Sequence, residues 1–295
     1  KEKMKRLTFL LFFTVVILIS ATGDDFEVVY LDGTLEIESP SGRRSAGIGT
    51  TIPEDGTVYL GENSLAELVS PAATLLLSKG GVHRLESITE EKGSIRKSAA
   101  DSLFQRFARI GGQKNESQSA VMGVRGSEAH DDLSFDWVEE DTLSYEEALS
   151  AYDTRDYELA ATILQEEVDP SLLEDETDYW YHLASALLFA GQSGKAMKIT
   201  SGHPGEKSSL RYEDYLLLRG RLFLESLDFT AAARQYDTFL ELVTAPADRQ
   251  LGYYFYGFSL LQHGELEAGK RAIQQAADID AVPEITQAAR ELGGN

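Results

Sequence analysis

Two rhythms divide the chain. From Phe26 to Ile88 apolar residues come in short alternating runs broken by turn signals. FEVVYLDGTLEIES reads as a hairpin turning at Asp32-Gly33, and PSGRRSAG reads as a loop. Ile52-Pro53-Glu54-Asp55-Gly56 leads into TVYLG, followed by SLAELVS, TLLLS and, after Gly80-Gly81, VHRLESI. Several strands at this spacing predict a small sandwich, roll or barrel. The period then lengthens. In GSIRKSAADSLFQRFARIGG, residues Ile95, Ala99, Leu103, Phe107 and Ile110 recur every three or four positions, which predicts an amphipathic helix ended by Gly111-Gly112. Its other face carries Arg96, Lys97, Arg106 and Arg109, so the helix either packs on its own domain or lies on an anionic membrane surface.

Beyond Ser144 the pattern is helical and repeats. Ala160, Ala196, Ala232 and Gly269 are spaced by 36, 36 and 37 residues. Ala148, Ala184, Gly220 and Gly257 fall in register ahead of them, and Leu164, Thr200, Tyr236 and Ile273 behind. The loops DTRD, AGQS, ESLD and HGEL fall at one place in each unit. Small residues that recur opposite large ones are what two antiparallel helices need where they approach closely, so each unit predicts a helical pair. In WYHLASALLFAGQSGKA, Trp180, Leu183, Ala184, Leu187, Gly191 and Ala196 resemble the tetratricopeptide signature. That resemblance implies a superhelix of four repeats, stacked because one unit cannot bury its own apolar face. It also implies a concave groove lined by the first helices. On the family's geometry Tyr181, Ser185, Leu217, Arg221, Glu225, Tyr254, Phe258 and Gln262 would line it, unless they pack between repeats. Such grooves take extended peptides or partner helices. VPEITQAARELGGN reads as a capping helix opened by Pro283.

A second resemblance lies in the first half. The order of strands with Gly-Asp/Glu turns, then GENSLAEL, TLLLSKGGVHRLESI and a late AVMGVRGSE strand, is similar to the FecR-type domain. Ala120, Val121, Gly123, Val124, Arg125 and Gly126 fit that family's last strand, with Ser119 and Ser127 in place of its usual threonines. The resemblance implies an exported β-rich module over 24–130. Ser70-Pro71-Ala72-Ala73 replaces the family's glycine-bearing turn, and the helix before the last strand is an insertion. The founding members' cytoplasmic region for a sigma factor has no counterpart here, so that role is not carried over. Arg125 either forks onto a carboxylate or carbonyls of its own domain or contacts a ligand.

Charge sharpens the picture. The 295 residues carry a formal net charge of −22, which disfavours a nucleic-acid partner. Residues 131–178 hold 18 acidic side chains against one basic, Arg155, so the charge gathers just before and within the first repeat. It solubilises the surface or attracts a basic partner. At the start, KEKMKR, the apolar stretch Leu7 to Ile19 and Ala21-Thr22-Gly23 read as a secretory signal cleaved before Asp24, with an uncleaved inner-membrane anchor as the rival.

No constellation of active-site residues emerges. The five histidines have no metal-ligand spacing, and with no cysteine there is neither a thiol nucleophile nor a disulfide. GHPGEKSS lacks the spacing of a phosphate loop, GIGTT lacks the third glycine of a dinucleotide fingerprint, and no Gly-x-Ser-x-Gly elbow occurs.

The reading is therefore an α+β multidomain chain. A signal peptide spans 1–23, a FecR-like β domain with an inserted helix 24–130, and an acidic linker 131–143. Four tetratricopeptide repeats span 144–282, and a cap 283–295. The expectation is a non-enzymatic scaffold, without metal or cofactor and without a membrane span once the signal is cleaved. In the periplasm it would dock a protein segment in its groove and another envelope component through the β domain. The alternatives are a module associated with cell-wall glycan and an envelope signalling subunit.

Overall fold

The computed structural model describes residues 25–39, 42–96 and 135–294. The signal segment, the basic helix beyond Arg96 and the Ser119–Glu128 strand lie outside the described residues. The chain falls into two compact units, one ending at Thr89 and the other starting at Glu90, with the short stretch Leu76–Lys79 grouped with the second.

The first unit is built of strands β1 (Phe26–Asp32), β2 (Leu35–Ser39), β3 (Gly42–Ala46), β4 (Thr51–Ile52), β5 (Thr57–Leu60), β6 (Leu65–Val69), β7 (Thr74–Leu77) and β8 (Gly81–Arg84). They form two four-stranded sheets, ordered β4-β1-β6-β7 and β3-β2-β5-β8. Alternation puts Phe26 and Val28 of β1, Leu35 and Ile37 of β2, and Val58 and Leu60 of β5 inside, with Glu27, Glu36 and Glu38 outside. β6 and β7 instead bury consecutive residues, as strands covered on both faces do, and Glu67 of β6 is among them.

Three local expectations are corrected. Asp32-Gly33 does not close a hairpin: β1 pairs with β4 and β6, while β2 pairs with β3 and β5. The dipeptide turns a corner from one sheet into the other. Gly33 has φ 98°, and a Cβ there would lie 2.3 Å from Ser64 Oγ, the atom that accepts the Thr34 amide at 2.9 Å. Arg43 and Arg44, read as loop, lie in β3, where Arg43 stacks 3.6 Å above the Tyr59 ring. VHRLESI changes state halfway, β8 giving way to helix α1 (Leu85–Arg96).

The second unit is helical: α2 (Phe135–Asp153), α3 (Tyr157–Glu166), α4 (Glu176–Phe189), α5 (Ser193–Gly202), α6 (Tyr212–Glu225), α7 (Phe229–Leu242), α8 (Pro246–His263), α9 (Leu266–Ile279) and α10 (Pro283–Gly293). Helix α2 begins inside the stretch read as a linker. Residues 131–143 contain no glycine or proline to stop a helix, and acidic side chains favour its N-terminal end. Successive helices pair and stack: α2 with α3, α4 with α5, α6 with α7, α8 with α9, and α10 on α8 and α9.

The repeat positions do what their chemistry predicts. A Cβ on Gly220 would lie 2.5 Å from the Tyr236 ring, and one on Gly257 2.8 Å from the Ile273 side chain. In these two pairs the small residue of the first helix is thus covered by the large residue 16 positions later. Every turn inside a pair places one residue in the left-handed region: Arg155 at φ 66°, Gly191 at 76°, Leu227 at 58° and Gly264 at 92°. The next amide reaches back five residues, Asp156 to Ala151, Gln192 to Leu187, Asp228 to Phe223 and Glu265 to Leu260. These are Schellman turns, in which glycine is the favoured residue. Asp156 and Asp228 then cap α3 and α7 through the Leu159 and Ala231 amides.

Arg155 is exposed and fills a position that costs a side chain about 1–2 kcal/mol, against about 0.4–1 kcal/mol that glycine loses through its freer unfolded chain. Arg155→Gly is expected to stabilise the helical unit by about 0.5 kcal/mol. A urea midpoint that stays put or falls would contradict that balance. Leu227 is unsuited to the same change because it packs on the buried cluster of the last two pairs.

Candidate functional site

The most concentrated polar chemistry among the described residues lies where α2, α4 and the approach to α6 meet. Asp175 caps α4, accepting from the Thr177 and Asp178 amides at 2.9 and 3.2 Å, and its other oxygen accepts from Ser209 Oγ at 2.7 Å. Thr177 Oγ1 takes the Glu206 amide at 2.9 Å. The loop before α6 is thereby fastened to the first turn of α4, which brings Arg211 to Asp178.

Arg211 Nε donates to Asp178 Oδ1 at 2.8 Å and Nη1 to Asp214 Oδ2 at 3.3 Å. From α2 the Tyr145 hydroxyl donates to Asp178 Oδ2 at 2.7 Å. His182, one turn further along α4, is buried, with Nδ1 2.9 Å from the Asp178 carbonyl. Burial pushes the Asp178 carboxyl up, but the neighbouring His182, the Tyr145 hydroxyl and the Arg211 guanidinium outweigh it and hold the group below its ordinary range. Burial also raises the phenols of Tyr145 and Tyr152, and takes Tyr181 to about 12. Such phenols serve as hydrogen-bonding and packing groups rather than bases. Tyr152 lies beside Ser185 and Tyr181.

A second cluster lies one repeat on. Arg221 Nε and Nη2 reach Glu225 Oε1 at 3.1 and 3.0 Å, and Ser193 Oγ, at the start of α5, donates to Glu225 Oε2 at 2.9 Å. The pair is half-buried, which leaves its outer edge open to a polar partner.

The eight groove candidates divide. Tyr254 and Phe258 are each 1% exposed and sit in the core cluster of α6 to α10, with Leu224, Phe255, Ile273 and Ile285. Tyr181 and Ser185 are buried as well. Leu217, Arg221 and Glu225 are half-buried, and Gln262 is exposed. For the four buried residues, packing between neighbouring hairpins takes the side chain that an open groove would have presented.

Sequence reasoning passed over Tyr145, Asp178, His182, Arg211 and Asp214. Three of these carried a signal. Tyr145 stands 36 residues before Tyr181, in step with Leu217 and Tyr254, and Asp178 stands 36 before Asp214. His182 and Arg211 carried none, because stacking brings them together. Among the described residues no cluster of His, Asp and Glu could hold a metal ion, and no helix is long and apolar enough to cross a membrane.

No family model matches the chain, and no curated protein matches it. Among solved structures it is similar to three MamA structures. "MamA RS-1 ArsTM double mutant" is 21% identical with a TM-score of 0.43, the match covering 53% of this chain and 83% of that one. "MamA 41-end from Desulfovibrio magneticus RS-1" is 19% identical at 0.42, covering 53% and 83%. "MamA AMB-1 C2221" is 13% identical at 0.42, covering 53% and 90%.

Proposed function

We propose that the protein is a non-enzymatic scaffold of the cell envelope, exported to the periplasm, in which a tetratricopeptide solenoid docks a segment of a partner protein. A FecR-like domain would hold the assembly to another envelope component. The observation that carries the docking half is the repeat itself. Four helical pairs at a spacing of 36 or 37 residues share one turn, two of them show the same small-on-large contact, and they stack in sequence order. An array of that kind presents an extended ladder of first helices, a surface suited to a segment of chain. On that ladder Leu217, the Arg221–Glu225 pair and Gln262 remain accessible, and the paired charges fit a polar segment better than an apolar one.

Site-specific photo-crosslinking in the full chain tests this in the native envelope. A crosslinker at Leu217 or Gln262 is expected to trap a discrete protein partner, while one at Asp237 or Gln275, exposed on the second helices α7 and α9, traps none. Equal capture at all four positions, or capture only from the second helices, would remove the first-helix face as the docking surface.

A further inference from the structure

We propose that His182 is the trigger of an acid-operated joint: protonation of its buried ring releases α2 from α4. The geometry around the ring is the reason. Its hydrogen bonds among the described residues all run to Nδ1, which lies 2.9 Å from the Asp178 carbonyl and 3.3 Å from the Tyr145 hydroxyl, with Asp178 Oδ1 at 3.5 Å. A neutral imidazole gives its single proton to the carbonyl there and is satisfied. A second proton has to enter at Nε2, and the ring is enclosed by tyrosines. Tyr181 stands at 5.1 Å between centroids, Tyr152 at 5.3 Å and Tyr145 at 6.3 Å, all near perpendicular. The nearest carboxylate, Asp178, is already engaged by Arg211 and by the Tyr145 hydroxyl, so the new cation would compete for it beside an existing guanidinium.

Among the described residues the charged and titratable groups around the ring come from three elements. α2 supplies Tyr145, Tyr152 and, at its end, Asp153; α4 supplies Asp178 and Tyr181; the loop before α6 supplies Arg211, itself held by Asp214. Burial, the largest influence, and Arg211 hold the imidazole below its ordinary value of 6.5, while Asp178 and Asp153 pull it up without prevailing. The unfolded or detached histidine therefore binds the extra proton more readily than the packed one. The stability this contact adds is present above 6.5 and is lost as pH falls from there toward the lower value of the packed ring.

The side that moves is set by the attachments. α4 is packed against α3, α5 and α6 as well as α2. The hold of α2 on α4 runs through Tyr145 and Tyr152, and both touch the imidazole. Releasing α2 withdraws Tyr152 from its place beside Tyr181 and Ser185. On the docking reading above, that would return two groove residues to the surface. The joint itself does not depend on that reading.

The cysteine-free chain makes the test direct. Cysteines in place of Leu143 on α2 and Lys195 on α5, both exposed, take spin labels in the full-length protein. Their distance distribution is then measured from about pH 7.5 down to about pH 5. A longer component is expected to grow as pH falls below about 6.5. It should be absent across that range in His182→Gln and in His182→Phe, the latter keeping a ring without a titratable nitrogen in case the amide does not fold. Tyr145→Phe, which cuts the tie to Asp178, should show the longer component already at about pH 7.5. A distribution unchanged to about pH 5, or the same acid response in both His182 variants, overturns the proposal.

Discussion

Phe258→Ala is expected to destabilise the helical unit by about 3–5 kcal/mol, the range for emptying a buried phenylalanine site. Phe258 is 1% exposed and lies on α8 within a cluster that includes Tyr254, Phe255, Leu224, Ile273 and Ile285. Its neighbours are held from several sides: Ile273 sits over Gly257 on the same helix, and Ile285 belongs to α10. A site walled by different helices cannot collapse around a missing ring, so both the transfer and the cavity contributions apply. In a unit of this size that loss lowers the thermal midpoint by roughly 10 °C. Arrays of repeats do not always melt as one. Hydrogen exchange should therefore accompany the melt, with protection lost first in α8 to α10. A midpoint and exchange pattern matching the unmodified protein would mean that Phe258 lies on a surface after all.

That prediction reverses the one a sequence reader would make for the same residue, and the reason is physical. Periodicity reports which residues share a face of a helix. It does not report which neighbour covers that face. In the first helices one stripe meets the paired second helix, as Gly220 meets Tyr236 and Gly257 meets Ile273. This contact lies within one unit, so it left a mark at a fixed spacing of 36 or 37 residues. The adjoining stripe, with Tyr145, Tyr181, Leu217 and Tyr254, meets either the next hairpin or open space, and the same aromatic side chain suits both. The turns were legible only in part. Gly191 and Gly264 announce the left-handed position, whereas Arg155 and Leu227 occupy it at a cost and hide it. In the first unit the apolar residues Phe26, Val28, Leu35 and Ile37, spaced by two within their strands, are the buried ones. The pairing of strands was out of reach because β1 takes its partners from residues 51–52 and 65–69 rather than from β2. Asp32-Gly33 is a good corner for the reason it is a good hairpin: glycine tolerates the positive φ that both require. The polar cluster at Asp178, His182 and Arg211 unites residues about 30 positions apart through a loop clasp at Asp175 and Thr177. No single stretch of sequence contains it.

Gln250→Leu is the second large effect, expected at about 3–5 kcal/mol from the loss of several buried hydrogen bonds. Gln250 is fully buried on α8 and uses both ends of its amide. Its Nε2 donates to the Ala276 carbonyl of α9 at 2.9 Å and to Thr286 Oγ1 of α10 at 2.8 Å, and its Oε1 accepts the Val282 amide at 2.6 Å. One side chain thus ties three helices and pins the turn that starts α10. Leucine has nearly the same volume and fills the space, so no cavity forms. The cost comes from polar groups left without partners in a place water does not reach, about 1–3 kcal/mol for each. Thr286 keeps its bond to the Val282 carbonyl at 3.2 Å, which limits its share. Gln250→Glu is expected to be worse than leucine, since the charge would be buried and could accept but not donate. The mechanism is separable from simple core damage by a cycle with a chain ended at Asp280. Removing α10 strips the cover that Ile285, Ala288 and Ala289 provide and should itself be costly. If the glutamine acts by holding that helix, Gln250→Leu should cost well under half as much in the shortened chain as in the full one. Equal costs in both backgrounds would show that Gln250 works within α8 and α9 alone, and the clamp on the terminal helix would have to be abandoned.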